Sequence, residues 1–134
     1  VTNTFQLEIV TPAKLVVKDA AEEMQIPGSS GYLGILPGHA PLITELGVGA
    51  ITYQASGVTH TLSVAWGFAE VLPDKVTILA EVAERPQEID VERAQKSKDR
   101  AEERLKRNDP KIDYTRAEDA LQRAETRLNV AKEK

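Results

Sequence analysis

The 134-residue chain contains no cysteine, which excludes a disulfide framework, a thiolate nucleophile and a cysteine-ligated zinc site. His39 and His60 are its only imidazoles, so a metal enzyme finds few donors here. No apolar run approaches the roughly 18 residues of a membrane-spanning helix, and no signal-peptide pattern opens the sequence. The expectation is a protein that is soluble or meets a membrane only through a partner. A basic surplus is missing as well. Seventeen Lys and Arg stand against 21 Asp and Glu, a net charge of −4, which argues against a general nucleic-acid binder. The glycine-rich run Gly31–Pro41 lacks the Lys-Ser/Thr ending and the following helix of a phosphate loop. Gly47-Val48-Gly49 lacks the third glycine of a dinucleotide fingerprint, and no G-x-S-x-G elbow occurs. These absences weigh against an enzyme.

What is present divides sharply near Pro86. Residues 1–86 hold all eight glycines and five of the six aromatics, with 4 basic and 9 acidic residues. Residues 87–134 have no glycine, one aromatic (Tyr114), 13 basic and 12 acidic residues. The first segment alternates apolar and polar residues, as in Phe5–Val10, where Phe5, Leu7 and Ile9 flank Gln6 and Glu8. Further short runs at Lys14–Lys18, Glu23–Ile26, Gly49–Ala55, Thr59–Ala65, Phe68–Leu72 and Lys75–Val82 are separated by Pro, Gly and Ser turns. The second segment is rich in Ala, Glu, Lys, Arg and Leu, the strong helix formers, and is broken once at Asn108-Asp109-Pro110. The fold class expected is α+β: an N-terminal antiparallel β-sandwich over 1–86, then a C-terminal antiparallel two-helix hairpin over 87–134.

Each helix opens with the same word. Ile89–Ala94 and Ile112–Ala117 both read I-D-x-x-R-A, which predicts Asp90 and Asp113 as N-caps, each with a preceding Ile stapling onto the helix. A narrow stripe follows: Val91, Ala94, Ala101 and Leu105 on the first helix, and Tyr114, Ala117, Leu121, Ala124, Leu128 and Ala131 on the second. Such a thin, alanine-rich seam buries little, so the hairpin is expected to need a second surface and to be mobile. One position before the stripe lie Arg93, Ser97, Arg100 and Arg104, then Arg116, Ala120, Arg123 and Arg127. Each residue turns about 100° around its axis, so in an antiparallel pair both rows fall on one side. The six arginines then converge with no carboxylate among the eight positions. Two readings stand: a polyphosphate site, since guanidinium pairs bidentately with phosphate, or a solvated basic face docked on an acidic partner.

Gly31-Tyr32-Leu33-Gly34-Ile35-Leu36-Pro37-Gly38-His39-Ala40-Pro41-Leu42, the run Pro73–Glu81, and Ala83-Glu84-Arg85 onward to Arg93-Ala94 resemble the epsilon subunit family of the bacterial rotary (F-type) ATP synthase. The resemblance covers essentially the whole chain and is greatest to the ATP-binding, Bacillus-like members. It implies ATP as a regulatory ligand held by Glu84, Ile89, Asp90, Arg93, Ala94, Arg100, Arg123 and Arg127, with no metal ligand set. It implies a noncatalytic stalk subunit whose sandwich contacts the gamma subunit and the c-ring, with Tyr32 and His39 in the subunit-contact loop. Tyr32 stands where many members carry a carboxylate facing the ring. The hairpin is implied to bind ATP when folded, and to reach the alpha/beta head and inhibit hydrolysis when extended. The implied location is peripheral, on the cytoplasmic face of the bacterial cell membrane. Two alternatives are a purely structural stalk subunit without a ligand and a small nucleotide-binding hydrolase.

Overall fold

The computed structural model describes residues 3–134. Seven strands, β1 (Phe5–Val10), β2 (Leu15–Ala21), β3 (Glu23–Gly28), β4 (Gly31–Ile35), β5 (Leu42–Ala55), β6 (Val58–Val71) and β7 (Lys75–Glu84), precede two helices, α1 (Val91–Lys106) and α2 (Tyr114–Ala131). The strands hydrogen-bond in the order β2-β1-β7-β6-β5-β3-β4, and β2 meets β5 across the core, so the sheet folds over itself into a sandwich. The alternation read from the sequence points Phe5, Leu7 and Ile9 inward, where they join Ile26, Ile35, Ile51, Leu62 and Ile78 in one apolar core. Full burial of each such side chain contributes roughly 1.5–3 kcal/mol.

Three features depart from the sequence expectation. The glycine-rich stretch begins as strand β4, paired with β3 from Met24↔Ile35 to Gly28↔Gly31. The runs Thr59–Ala65 and Phe68–Leu72 merge into one strand, β6, which ends at Val71 and is kinked where Trp66 (φ 54°) and Gly67 (φ 128°) turn left-handed. Gly67 is obligatory there, because a Cβ would lie 1.9 Å from the Leu79 carbonyl oxygen. Finally, the sheet is antiparallel except where β1 runs parallel to β7, from Gln6↔Lys75 to Val10↔Leu79. That pair joins opposite ends of the strand segment, a long-range choice that local periodicity does not encode.

The helices begin where the repeated word places them. The Asp90 and Asp113 carboxylates accept from the Arg93 and Arg116 backbone N–H groups, each at 3.0 Å. Between the helices, the Tyr114 hydroxyl donates to the Arg107 carbonyl and accepts from the Asp109 N–H, so this stripe residue clamps the turn. Ala94, Ala101, Ala117 and Ala124 are buried along the seam. The helix α2 carries the packing against β5 and β6. Ile89 clusters with Val130, Ala131 and Ala50, tying the connecting segment to the end of α2 and to the sheet.

Candidate functional site

The seam sets the site. Because both helices face each other through alanines, the residues one position earlier on each helix are carried to the same flank. A cleft of about 560 Å³ runs along that flank, within the size range of small-molecule sites. It is lined by Arg93, Ser97, Arg100 and Arg104 of α1, by Arg116, Ala120, Arg123 and Arg127 of α2, and by Val82 and Glu84 of β7. All eight positions picked out by the helical-side argument reach the cleft.

Its electrostatics are lopsided. Among the described residues, Glu84 is the one carboxylate lining the cleft and Arg127 is its partner. Arg127 Nη2 donates to Glu84 Oε2 at 3.1 Å. Nε lies 2.8 Å from Oε1, but its buried N–H finds no acceptor in good alignment, so this second contact is a charge contact. Arg93, Arg100, Arg104, Arg116 and Arg123 have no ion pair among the described residues. Among the described residues, Arg100 reaches the Ser97 hydroxyl alone, at 3.4 Å. Arg123 lies over the ring of Trp66, 4.8 Å from its centroid. Five unneutralised guanidinium groups around one cleft repel one another, and a bound polyanion relieves that repulsion. The donor set therefore suits a chain of phosphates.

The expected ligand contacts divide into two groups. Glu84, Arg93, Arg100, Arg123 and Arg127 line the cleft. Ile89, Asp90 and Ala94 do not: Ile89 turns into the apolar cluster, Asp90 caps α1, and Ala94 is buried in the seam. The Ile89 carbonyl accepts from Lys134 Nζ at 3.0 Å. Arg104 and Arg116, placed on this flank by helix geometry but absent from the residues carried by resemblance, line the cleft as well. Trp66 was missed entirely. Its only sequence signal is a bulky residue directly before Gly67, at a point where the strand periodicity breaks. Among the described residues, no group of three His, Cys, Asp or Glu side chains comes together as a metal site.

Tyr32 and His39 lie apart from the cleft. Tyr32 belongs to β4 and is 59% exposed; its hydroxyl accepts from the Ala50 N–H at 3.0 Å, beside the β3–β5 register shift. Gly49 makes room for that hydroxyl, which would sit 2.5 Å from a Cβ there. His39 closes a tight turn, its N–H donating to the Leu36 carbonyl at 3.1 Å across Pro37 and Gly38 (φ 85°). The segment joining sheet and helices is itself pinned. Lys14 Nζ lies 2.9 Å from Glu88 Oε2, Glu88 Oε1 accepts from the Arg85 N–H at 3.0 Å, and Arg85 donates to the Val16 carbonyl at 3.2 Å. The Lys14 ammonium and the Arg85 N–H hold the Glu88 carboxyl below its ordinary value. Burial raises the Tyr53 phenol, a core residue whose ring stacks on His60 at 4.8 Å.

Comparison with known proteins agrees with this architecture. The family model described as "ATP synthase, Delta/Epsilon chain, beta-sandwich domain" matches residues 4–86, and "ATP synthase, Delta/Epsilon chain, long alpha-helix domain" matches 87–132. The ATP synthase epsilon chain of Koribacter versatilis is 71% identical over 108 residues, covering 81% of this chain and 76% of that protein. Those of Nitratidesulfovibrio vulgaris and Moorella thermoacetica are 49% and 46% identical, covering 95% and 96% of both chains respectively. A chain in the Euglena gracilis mitochondrial ATP synthase superposes with a TM-score of 0.83 at 22% identity, over 98% of this chain and 83% of its own. That likeness is one of fold. By sequence, by domain order and by fold, this chain belongs to the delta/epsilon family of ATP synthase, as an epsilon chain, a noncatalytic subunit of the complex.

Proposed function

We propose that this chain is a central-stalk subunit in which residues 1–86 couple rotation and residues 87–134 form a regulatory unit. The sandwich contacts the gamma subunit and the c-ring, through surfaces that include Tyr32 and His39. Ile43, Phe68 and Leu79 support such a partner: they share one sheet face, Phe68 opposite Leu79, and all are exposed. None of the described helices is long and apolar enough to cross a membrane. On this reading the subunit sits peripherally on the cytoplasmic face of the cell membrane, held there by its partners.

The observation that carries the regulatory part is the cleft of six arginines with a single carboxylate. Arg93, Arg100, Arg123 and Arg127 would hold the phosphates of ATP with Glu84 beside them in the cleft, while Ile89, Asp90 and Ala94, which lie outside it, would act by anchoring and capping the start of α1. Ligation neutralises the guanidinium repulsion and so favours the folded hairpin. The extended hairpin instead presents those arginines to acidic surfaces of the alpha/beta head and inhibits hydrolysis. A ligand biases such an element only by binding one state better than the other.

Calorimetric titration of the chain with ATP tests this reading. Saturable binding is expected, with no turnover of ATP. Arg123→Ala should weaken binding by roughly 1.5–3 kcal/mol, the loss of a charge-assisted hydrogen bond. Lys134 is no neutral control, because it bonds the Ile89 carbonyl. Lys106, exposed at the end of α1, serves instead, and Lys106→Ala should leave affinity unchanged. Equal effects from both substitutions would reduce the cleft to a solvated face. A purely structural subunit is the second reading, favoured by one observation: Arg123 and Arg127 already make contacts within the chain. Absence of ATP binding would decide for it.

A further inference from the structure

Trp66 occupies a backbone position made for glycine. Its φ of 54° is left-handed, and the next residue, Gly67, is left-handed too. The ladders to both neighbours step over Trp66, running Ala65↔Val48 then Gly67↔Leu46 on one side and Ala65↔Val82 then Gly67↔Ala80 on the other. A bulky side chain here costs free energy that glycine would not. Such strain persists when the side chain has work elsewhere. The ring of Trp66 lies under the Arg123 guanidinium, 4.8 Å from centroid to the guanidinium carbon, well inside the range of a cation–π contact, for which Trp is the best ring.

Stacking occupies the face of a guanidinium and leaves its N–H edge free. Arg123 has no carboxylate partner among the described residues, in contrast to Arg127, whose edge is taken by Glu84. Arg123 is thus held in place with its donors uncommitted, on the helix that packs against β6. We propose that Trp66 is a positioning residue of the arginine cleft: by cation–π stacking it fixes Arg123 for phosphate oxygens and fastens α2 to the kink of β6. The first half of this proposal rests on the polyphosphate reading of the cleft. The second half does not.

The chain's single tryptophan makes the test direct. With ATP as the probe, Trp66→Gly and Trp66→Leu should each weaken binding about fivefold to tenfold, and Trp66→Phe, which keeps a π face, should stay within about threefold of wild type. Trp66→Gly should leave the sandwich as stable as before or more so, which a merely structural role for the ring would not permit. Without ligand, hydrogen exchange in α2 should be faster in Trp66→Leu than in wild type and restored in Trp66→Phe. Trp66→Leu and Trp66→Gly binding ATP as tightly as wild type would overturn the positioning of Arg123. If the wild-type chain bound neither ATP nor inorganic tripolyphosphate, the polyphosphate reading would fall, and ligand-free exchange would judge the ring's hold on α2. Equal α2 exchange in wild type and Trp66→Leu would overturn that hold.

Discussion

The two regions of this chain bury their seams in different currencies. The sandwich closes over Phe5, Leu7, Ile9, Ile26, Ile35, Ile51, Tyr53, Leu62 and Ile78, large side chains that each remove a substantial apolar area from water. The hairpin closes over Ala94, Ala101, Ala117 and Ala124, each contributing little more than a methyl group. Those alanines are as dry as the sandwich core, but the larger stripe residues Leu105, Tyr114, Leu121 and Leu128 are only half-buried and Val91 is exposed, so one seam is thick and the other thin. Burial alone therefore says little about stability; the volume buried decides. On the proposed reading, a scaffold and a responsive element share one chain because that volume falls so steeply between them.

The largest expected effect lies in the scaffold. Gly67→Ala should destabilise the sandwich by upwards of about 4 kcal/mol in urea unfolding, since backbone must move to admit the new methyl group. Ile78→Ala should cost roughly 3 kcal/mol by the same measurement, through lost transfer energy and a cavity among rigid neighbours. A hairpin whose opening is suppressed as strongly as that of the sandwich would break the contrast. ATP at a hundredfold excess over its Kd should stabilise the folded hairpin by about 2.7 kcal/mol. Exchange should then slow across 90–134 and hardly change in Phe5–Val10. Tight binding without that slowing would leave a static site and no switch.

Asp90→Ala removes a cap and should cost about 1 kcal/mol, read as faster exchange at the start of α1 with the sandwich midpoint unmoved. The smallest effect concerns Glu88. Its carboxyl titrates below the ordinary 4.5 in the folded chain, so its contribution is present above that value and is lost as pH falls through the lowered folded value. Acidification should free the connecting segment slightly, and Glu88→Gln should abolish that pH dependence. The pair is largely exposed, so its weight is modest.

Much of this was legible in the residues. Period-2 alternation locates Phe5–Val10, the repeated I-D-x-x-R-A word locates both caps, and helical geometry alone places eight positions on one flank. These are local signals, confined to a few turns or to one seam. The strand at Gly31–Ile35 escaped because its glycines mimic a loop, while its pairing with β3 is supplied by Met24 and Ile26. The parallel β1–β7 pair, the Glu84–Arg127 ion pair and the Trp66–Arg123 stack each join residues far apart in the chain. No spacing rule announces them; they exist only once the sheet has curled and α2 has settled on it.

The pinned connecting segment has a mechanical consequence. Arg85 and Glu88 are fastened to the β1–β2 region through Val16 and Lys14, so a hairpin that leaves the sandwich, as the proposed regulation requires, would pivot first at Ile89 and Asp90. On that proposal, a pivot confined to that point would turn α1 into a lever. Its 16 residues make an arm of roughly 24 Å at about 1.5 Å per residue. A swing of a few tens of degrees at one joint would thus carry the Asn108–Pro110 tip through about ten ångströms, while three side chains, Lys14, Arg85 and Glu88, hold the sheet side of the hinge.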